Sequence, residues 1–249
     1  MASDPLHQFQ INPIVPIEVG GLDLSFTNSA LFMLLAVVLI TSLLVFGMRG
    51  RDVVPGRLQS VAELLYEFVA TMLRENAGPE ARKFFPFVFS LFTFILFGNL
   101  LGMIPGSFTF TSHIAVTFAM ALVVFLFVTI LALVRHGLHF FSFFLPAGTP
   151  LWLAPLMVTI EVISYLSRPL SLGVRLFANM LAGHTILKVF AGFTVALGGA
   201  LGAGGYVFGL LPVAANVAVV ALEILVACVQ AYVFTLLTCI YIRDAIELH

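Results

Sequence analysis

Charge is what this chain of 249 residues has least of: Asp, Glu, Lys and Arg make up 9% of it, against 61% apolar residues and 26 phenylalanines. So little charge cannot solvate the surface of a folded chain this long, which excludes the ordinary soluble globular class and leaves a polytopic membrane protein. The net charge of -1 and the scatter of the basic residues provide no phosphate-tracking patch, so nucleic acid is not an expected partner. Cysteine is nearly missing too. Cys228 and Cys239 lie in one apolar segment, about 16 Å apart along a helix axis, too far for a disulfide. They read as packing residues and say nothing of redox compartment. No Lys or Arg precedes the first apolar run, whereas Asp4, Glu18 and Asp23 do, so no cleavable signal peptide is expected and the run should stay as an anchor. A catalytic triad, a phosphate-cradling glycine loop, a selectivity-filter loop, inverted repeats and a clustered metal site are missing as well. Their absence counts against most enzyme, channel and transporter readings and leaves no cofactor to expect.

What is present is a series of long apolar runs. Residues 1–28, with Pro5, Pro13, Pro16 and Gly20-Gly21, read as an irregular acidic leader on the outer side. Residues 29–48 are uncharged and long enough to span a bilayer, and Arg49, Arg51 and Arg57 follow at once. The positive-inside rule then puts the N-terminus outside and the 49–83 region in the cytoplasm. Further crossings are expected at about 84–104, ending at the Pro105-Gly106 turn, and at 113–134, ending at Arg135. The last two fall at 156–191 and 206–242, with Arg243 and an acidic tail on the cytoplasmic side. Pro146, Gly148, Pro150 and Pro155 mark an inner turn before that pair; Gly192, Gly198, Gly199, Gly202, Gly204 and Gly205 read as its outer connection. A single helix from Leu156 to Ala191 is about 54 Å long against a hydrocarbon core of about 30 Å, so it must tilt or break, and Pro169 is the place for a bend. Residues 58–77 differ. Leu58, Val61, Leu64, Leu65, Phe68, Val69, Met72 and Leu73 recur at helical spacing with Glu63, Glu67, Arg74 and Glu75 largely off that face. That pattern suits an amphipathic helix lying on the membrane surface, covering the bundle or docking a partner. The expected fold is one all-α membrane domain, residues 29–249, with five transmembrane helices, an overlong tilted C-terminal hairpin and one amphipathic surface helix.

The few polar residues inside the runs each need a reason, because an ionised side chain at mid-bilayer costs about 3 kcal/mol on insertion scales. Glu161, Arg168 and Arg175 stand seven apart, with Asn179 one turn further, so they share one stripe of a helix. Lipid satisfies none of these groups, so the stripe faces a partner helix or a water-filled cavity. His184 and Lys188 point elsewhere. Glu223 and Gln230 are again seven apart, in the last run. Snorkelling to the interface suits Lys188, and Arg168, beside Pro169, reads as structural. Arg175 and Glu223 lie too deep for that and point to function. Asn99 reads as making an interhelical hydrogen bond. His136 and His139 are three apart but have no third ligand nearby, so no metal is expected. A histidine that titrates near neutrality, two carboxylates and a cation that cannot deprotonate suit proton relay past a fixed positive barrier.

The run SRPLSLGVRLFANMLAGH, with Glu161 seven before Arg168, the NLLGMIP end of the second crossing, and Glu223 with Gln230 in the last, resembles subunit a of F-type ATP synthases. The similarity covers nearly the whole chain from about residue 29. It implies a non-catalytic stator subunit, pressed by a tilted hairpin against a ring of c subunits, associated with peripheral-stalk b-type subunits, and moving H⁺; the acidic leader, unlike a transit peptide, favours a bacterial inner membrane over a mitochondrion. It implies that Arg175 matches the family's essential arginine facing the ring carboxylates, and that Glu161 matches the acid of the cytoplasmic-side half-channel. His184 and Glu223 match the outer half-channel pair, and Asn179 and Gln230 match polar residues near the arginine. Some bacterial relatives hold the acid and the histidine in the reverse order, which favours the two being neighbours. Arg168 fits the motif without a clear role. Two rival readings are a self-contained secondary transporter that buries an arginine, and a membrane scaffold that would tolerate neutral substitutions at Arg175 and Glu223.

Overall fold

The computed structural model describes residues 10–16, 18–19, 22–23, 25–49, 55–104, 106–137, 139–140, 153–201 and 203–247. Among them are six α-helices: α1 Asn28–Gly47, α2 Arg57–Ala77, α3 Phe85–Gly102, α4 Ile114–His136, α5 Ala154–Leu201 and α6 Ala203–Ile246. All but α2 are long and apolar enough to cross a membrane, as the expected all-α fold requires. Several sequence features fall outside the described residues: Pro5, Gly20-Gly21, Arg51, Pro105, Gly202 and the Pro146, Gly148 and Pro150 turn.

These helices follow from what hydrocarbon allows. Peptide groups in lipid must be bonded within their own segment, which an uncharged apolar helix achieves. At the start of α1 the Thr27 hydroxyl oxygen accepts the N–H of Ala30 at 3.3 Å, satisfying a donor that the helix itself cannot. Inside the helices Thr41, Ser42, Thr93 and Thr129 each donate their hydroxyl proton to the carbonyl one turn back, so these groups need no water.

Three sequence expectations are revised. α5 has 48 residues and α6 has 44, about 72 and 66 Å long, so the hairpin is longer than expected. The glycine run is not a loop: Gly192, Gly198 and Gly199 lie inside α5 and Gly204 and Gly205 inside α6. Glycine's helix penalty, about 1 kcal/mol, is smaller than the cost of leaving peptide groups unbonded in so apolar a stretch. The leader is not wholly irregular either. Pro13–Val15 (β1) pairs antiparallel with Phe26–Thr27 (β4), and Glu18–Val19 (β2) with Leu22–Asp23 (β3). Ile14, Val15 and Val19 suit extended backbone, while Pro13 opens β1 and Pro16 follows it, where a missing donor is tolerated. Pro169 lies within α5, and so does Pro212 within α6.

The chain divides into two compact units, one of Met1–Ser42, Phe94–His113 and Leu176–Ala231, the other of Leu43–Thr93, Ile114–Arg175 and Tyr232–His249. The first is centred on Ile95, Phe110, Leu176, Met180, Ala227 and Ala231, all buried. Gly98 lies so close to the Phe110 ring that no side chain fits there. The second buries Val69, Val88, Val124, Leu172, Phe234 and Ile242, with Phe87 stacked on Phe127 at a centroid distance of 4.2 Å. In that unit a Cβ at Gly173 would fall 3.0 Å from the Phe118 backbone, the kind of close approach small residues permit between membrane helices. Val69, Met72 and Leu73 of α2 are buried, whereas Leu58, Val61, Leu64 and Phe68 of the same apolar set stay exposed.

Candidate functional site

In the first unit α5 and α6 bring together the two residues that the family resemblance paired. His184 and Glu223 are 9% and 3% exposed, and Nδ1 lies 2.5 Å from Glu223 Oε1. The same nitrogen is 3.0 Å from Met180 O, one turn back. On the other side of the ring, Nε2 is 2.9 Å from Gly102 O and 2.9 Å from Thr109 Oγ1, whose own proton goes to Gly102 O at 3.1 Å. Both ring nitrogens thus meet acceptor oxygens. A neutral imidazole has one N–H for these two sides, whereas a ring protonated at both nitrogens has a partner for each. The adjoining carboxylate supplies the compensating charge and a second place for a proton. Gly183 makes room for this: a Cβ there would fall 2.8 Å from Glu223 Oε1.

Glu223, Ala227 and Gln230 share one face of α6 at helical spacing, and all three are buried. Asn99 on α3 donates to Ala227 O at 3.2 Å, the interhelical hydrogen bond expected of it. Gln230 Oε1 accepts from Asn179 Nδ2 at 2.7 Å, so these two polar residues of α5 and α6 are also neighbours.

The second unit holds the rest of the polar stripe. Arg168 Nη1 lies 3.2 Å from Asp244 Oδ2, and its guanidinium sits over two rings, 5.4 Å from the centroid of Tyr165 and 5.0 Å from that of Tyr241. Tyr165 OH in turn reaches Thr129 Oγ1 at 2.7 Å; that oxygen's proton goes to Phe125 O, so the phenol is the donor. Tyr165, Pro169 and Leu172 form the buried face of this part of α5, while Glu161 is half-buried and Arg175 exposed. Among the described residues neither Arg175 nor Glu161 has an ion pair or a side-chain hydrogen bond. His136 Nε2 lies 3.1 Å from Ala245 O, and no group of three or more His, Cys, Asp or Glu is gathered among the described residues.

The model of one protein family, described as ATP synthase A chain, matches residues 30–243. The chain belongs to the ATP synthase A chain family. It is 57% identical over 249 residues to the ATP synthase subunit a of Agrobacterium fabrum, with 99% of each chain covered. It is 56% identical over 244 residues to that of Parvibaculum lavamentivorans, covering 98% of this chain and 94% of the relative. With that of Rhodospirillum rubrum it shares 55% identity over 245 residues, 98% of this chain and 99% of the relative. The similarity read from the arginine-bearing run therefore extends over almost the whole chain.

Within this family member, four site residues escaped the sequence reading. Asp244 counted as part of an acidic tail, yet it meets Arg168. Tyr165 and Tyr241 carry no spacing signal in the sequence, yet the Arg168 guanidinium sits over both rings. Thr109 lies in a connection with no charge or periodicity, so no sequence signal marked it as a partner of His184.

Proposed function

We propose that this chain is the proton-translocating stator subunit of a rotary F-type ATP synthase, non-catalytic by itself. It would form a single membrane domain in a bacterial inner membrane, with its N-terminus outside and its C-terminus in the cytoplasm. Protons enter from the outer side past Glu223 and His184, and neutralise a carboxylate on a ring of c subunits. The neutral acid then turns through lipid, which it crosses far more cheaply than its ion. Near Glu161 the carboxylate loses its proton to the cytoplasmic half-channel. Arg175 separates the two paths: its charge favours the ionised carboxylate and opposes direct leak, and it cannot itself release a proton. Asn179 and Gln230 hold the polar surroundings of that arginine. Peripheral-stalk b-type subunits fix the chain in the complex, and α2 lies along the membrane surface.

The observation that carries this reading is the buried contact of His184 with Glu223, in which the carbonyl oxygens of Met180 and Gly102 also face the imidazole. Arg175, exposed and without an ion pair among the described residues, supports it from the other unit, since a charge left open in an apolar helix needs a partner or water. The decisive experiment is Arg175→Ala in the assembled complex. Proton-driven ATP synthesis should vanish while the complex still assembles; synthesis at the normal rate would remove the role assigned to this residue.

A further inference from the structure

The second unit contains two adjoining cavities that the proton path does not use. One, of about 630 Å³, is lined by Arg74, Arg82 and Lys83 together with Ala70, Leu73, Gly78 and Pro79. The other, of about 580 Å³, is almost wholly apolar, lined by Leu44, Met48, Ala62 and Phe89, with Glu63 and Glu67 also in its lining. Tyr66, Phe85 and Pro86 line both. Both volumes are in the range of small-molecule sites. Among the described residues none of the three cations makes an ion pair or a side-chain hydrogen bond, whereas neighbouring Glu80 is taken by Arg135. The basic cavity lies between the C-terminal end of α2 and the turn that enters α3, and the apolar one between the end of α1, α2 and the start of α3. Arg74 and Arg82, with Lys83 shared electrostatically with Glu80, put a net positive charge at one end of an apolar trough, which matches the chemistry of an anionic amphiphile.

We propose that Arg74, Arg82 and Lys83 bind the phosphate headgroup of an anionic glycerophospholipid whose acyl chain lies over Tyr66, Phe85 and Pro86 and enters the cavity beside Leu44, Met48 and Phe89. The carboxylates of Glu63 and Glu67, which line the apolar cavity, set the direction, because they repel the headgroup from that end. The test is native mass spectrometry of the full chain in mild detergent, titrated with phosphatidylglycerol, phosphatidylcholine or inorganic phosphate, with helicity checked by circular dichroism. Phosphatidylglycerol should be retained and phosphatidylcholine far less. Removing the charges in R74Q/R82Q/K83Q should weaken phosphatidylglycerol binding about fivefold per charge, on the order of a hundredfold in all, while R74K/R82K stays close to the parent. Ser90 also lines the apolar cavity, and Ser90→Trp, which crowds it and leaves the cations in place, should also lower retention. Equal binding by the triple variant, equal retention of phosphatidylcholine, or no effect of Ser90→Trp would overturn the proposal. So would displacement of the lipid by inorganic phosphate beyond that caused by chloride at matched ionic strength, which would mark a free-phosphate site.

Discussion

In one unit of this protein a histidine of α5 approaches a glutamate of α6; in the other an arginine of α5 reaches an aspartate of α6. The side chains of His184 and Glu223 are 10% and 2% exposed, those of Arg168 and Asp244 24% and 38%. Both pairs join the same two helices, but their chemistry separates them. Imidazole and carboxylate titrate within a few pH units of each other, so a proton can rest on either and move on. Guanidinium keeps its charge, so Arg168 can hold Asp244 and lie between two aromatic rings but cannot relay a proton. Charge inside an apolar helix therefore does not by itself mark a proton relay: the His184–Glu223 pair can change protonation, whereas Arg168 and Arg175 keep their charge.

The largest effect should come from the titratable pair. Replacing both His184 and Glu223 by Ala in the assembled complex should lower proton-driven ATP synthesis by about a hundredfold or more, the scale of losing a positioned acid or base. Exchanging the two, H184E/E223H, should retain more activity than the double alanine variant. If both double variants lose activity equally, the contact is not what matters. Arg168→Ala should cost less than tenfold once the amount of assembled complex is accounted for; a loss as deep as that of the double alanine variant would erase the contrast.

Stability should show the reverse order. Arg168→Met removes a half-exposed ion pair and two ring contacts, and should destabilise the chain by about 1–2 kcal/mol in urea unfolding followed by circular dichroism. Asp244→Asn should cost less, because the rings still hold the cation. Equal losses would mean that the ion pair dominates. A smaller change is expected at Gly183, where a methyl group crowds a carboxylate with rotatable bonds: Gly183→Ala should slow proton-driven synthesis severalfold and leave assembly intact.

How far the sequence reveals this follows from the same distinction. Long apolar runs identify five crossings because lipid leaves the backbone no alternative to helix, and Arg49, Arg57, Arg135 and Arg243 mark their ends. The His184–Glu223 contact was inferred from the reversed arrangement in relatives, and Asn99 from being the one amide in its run. Spacing could not reveal Asp244 or Thr109, since partnership across 76 or 75 residues leaves no periodic trace. Nor could it show that the glycines at 192–205 continue two helices, because glycine's usual helix-breaking rests on competition with water that an apolar stretch reduces.

The weakest expected effect concerns pH, and it separates His184 from another histidine of the chain. His113 precedes α4 and stacks on Phe108 with a centroid distance of 5.0 Å. Burial holds its pKa below the ordinary value of 6.5. Folded protein therefore binds this proton less readily than unfolded chain, and unfolding takes one up. The stability His113 contributes is complete above about pH 6.5 and declines as pH falls through its lowered folded value. Urea midpoints measured between pH 5 and 8 should fall more on the acid side for the parent than for His113→Phe, which keeps the stacking and loses the titration. Because His184 is present in both proteins, the difference between the curves isolates His113; parallel curves would show that its protonation is not linked to folding.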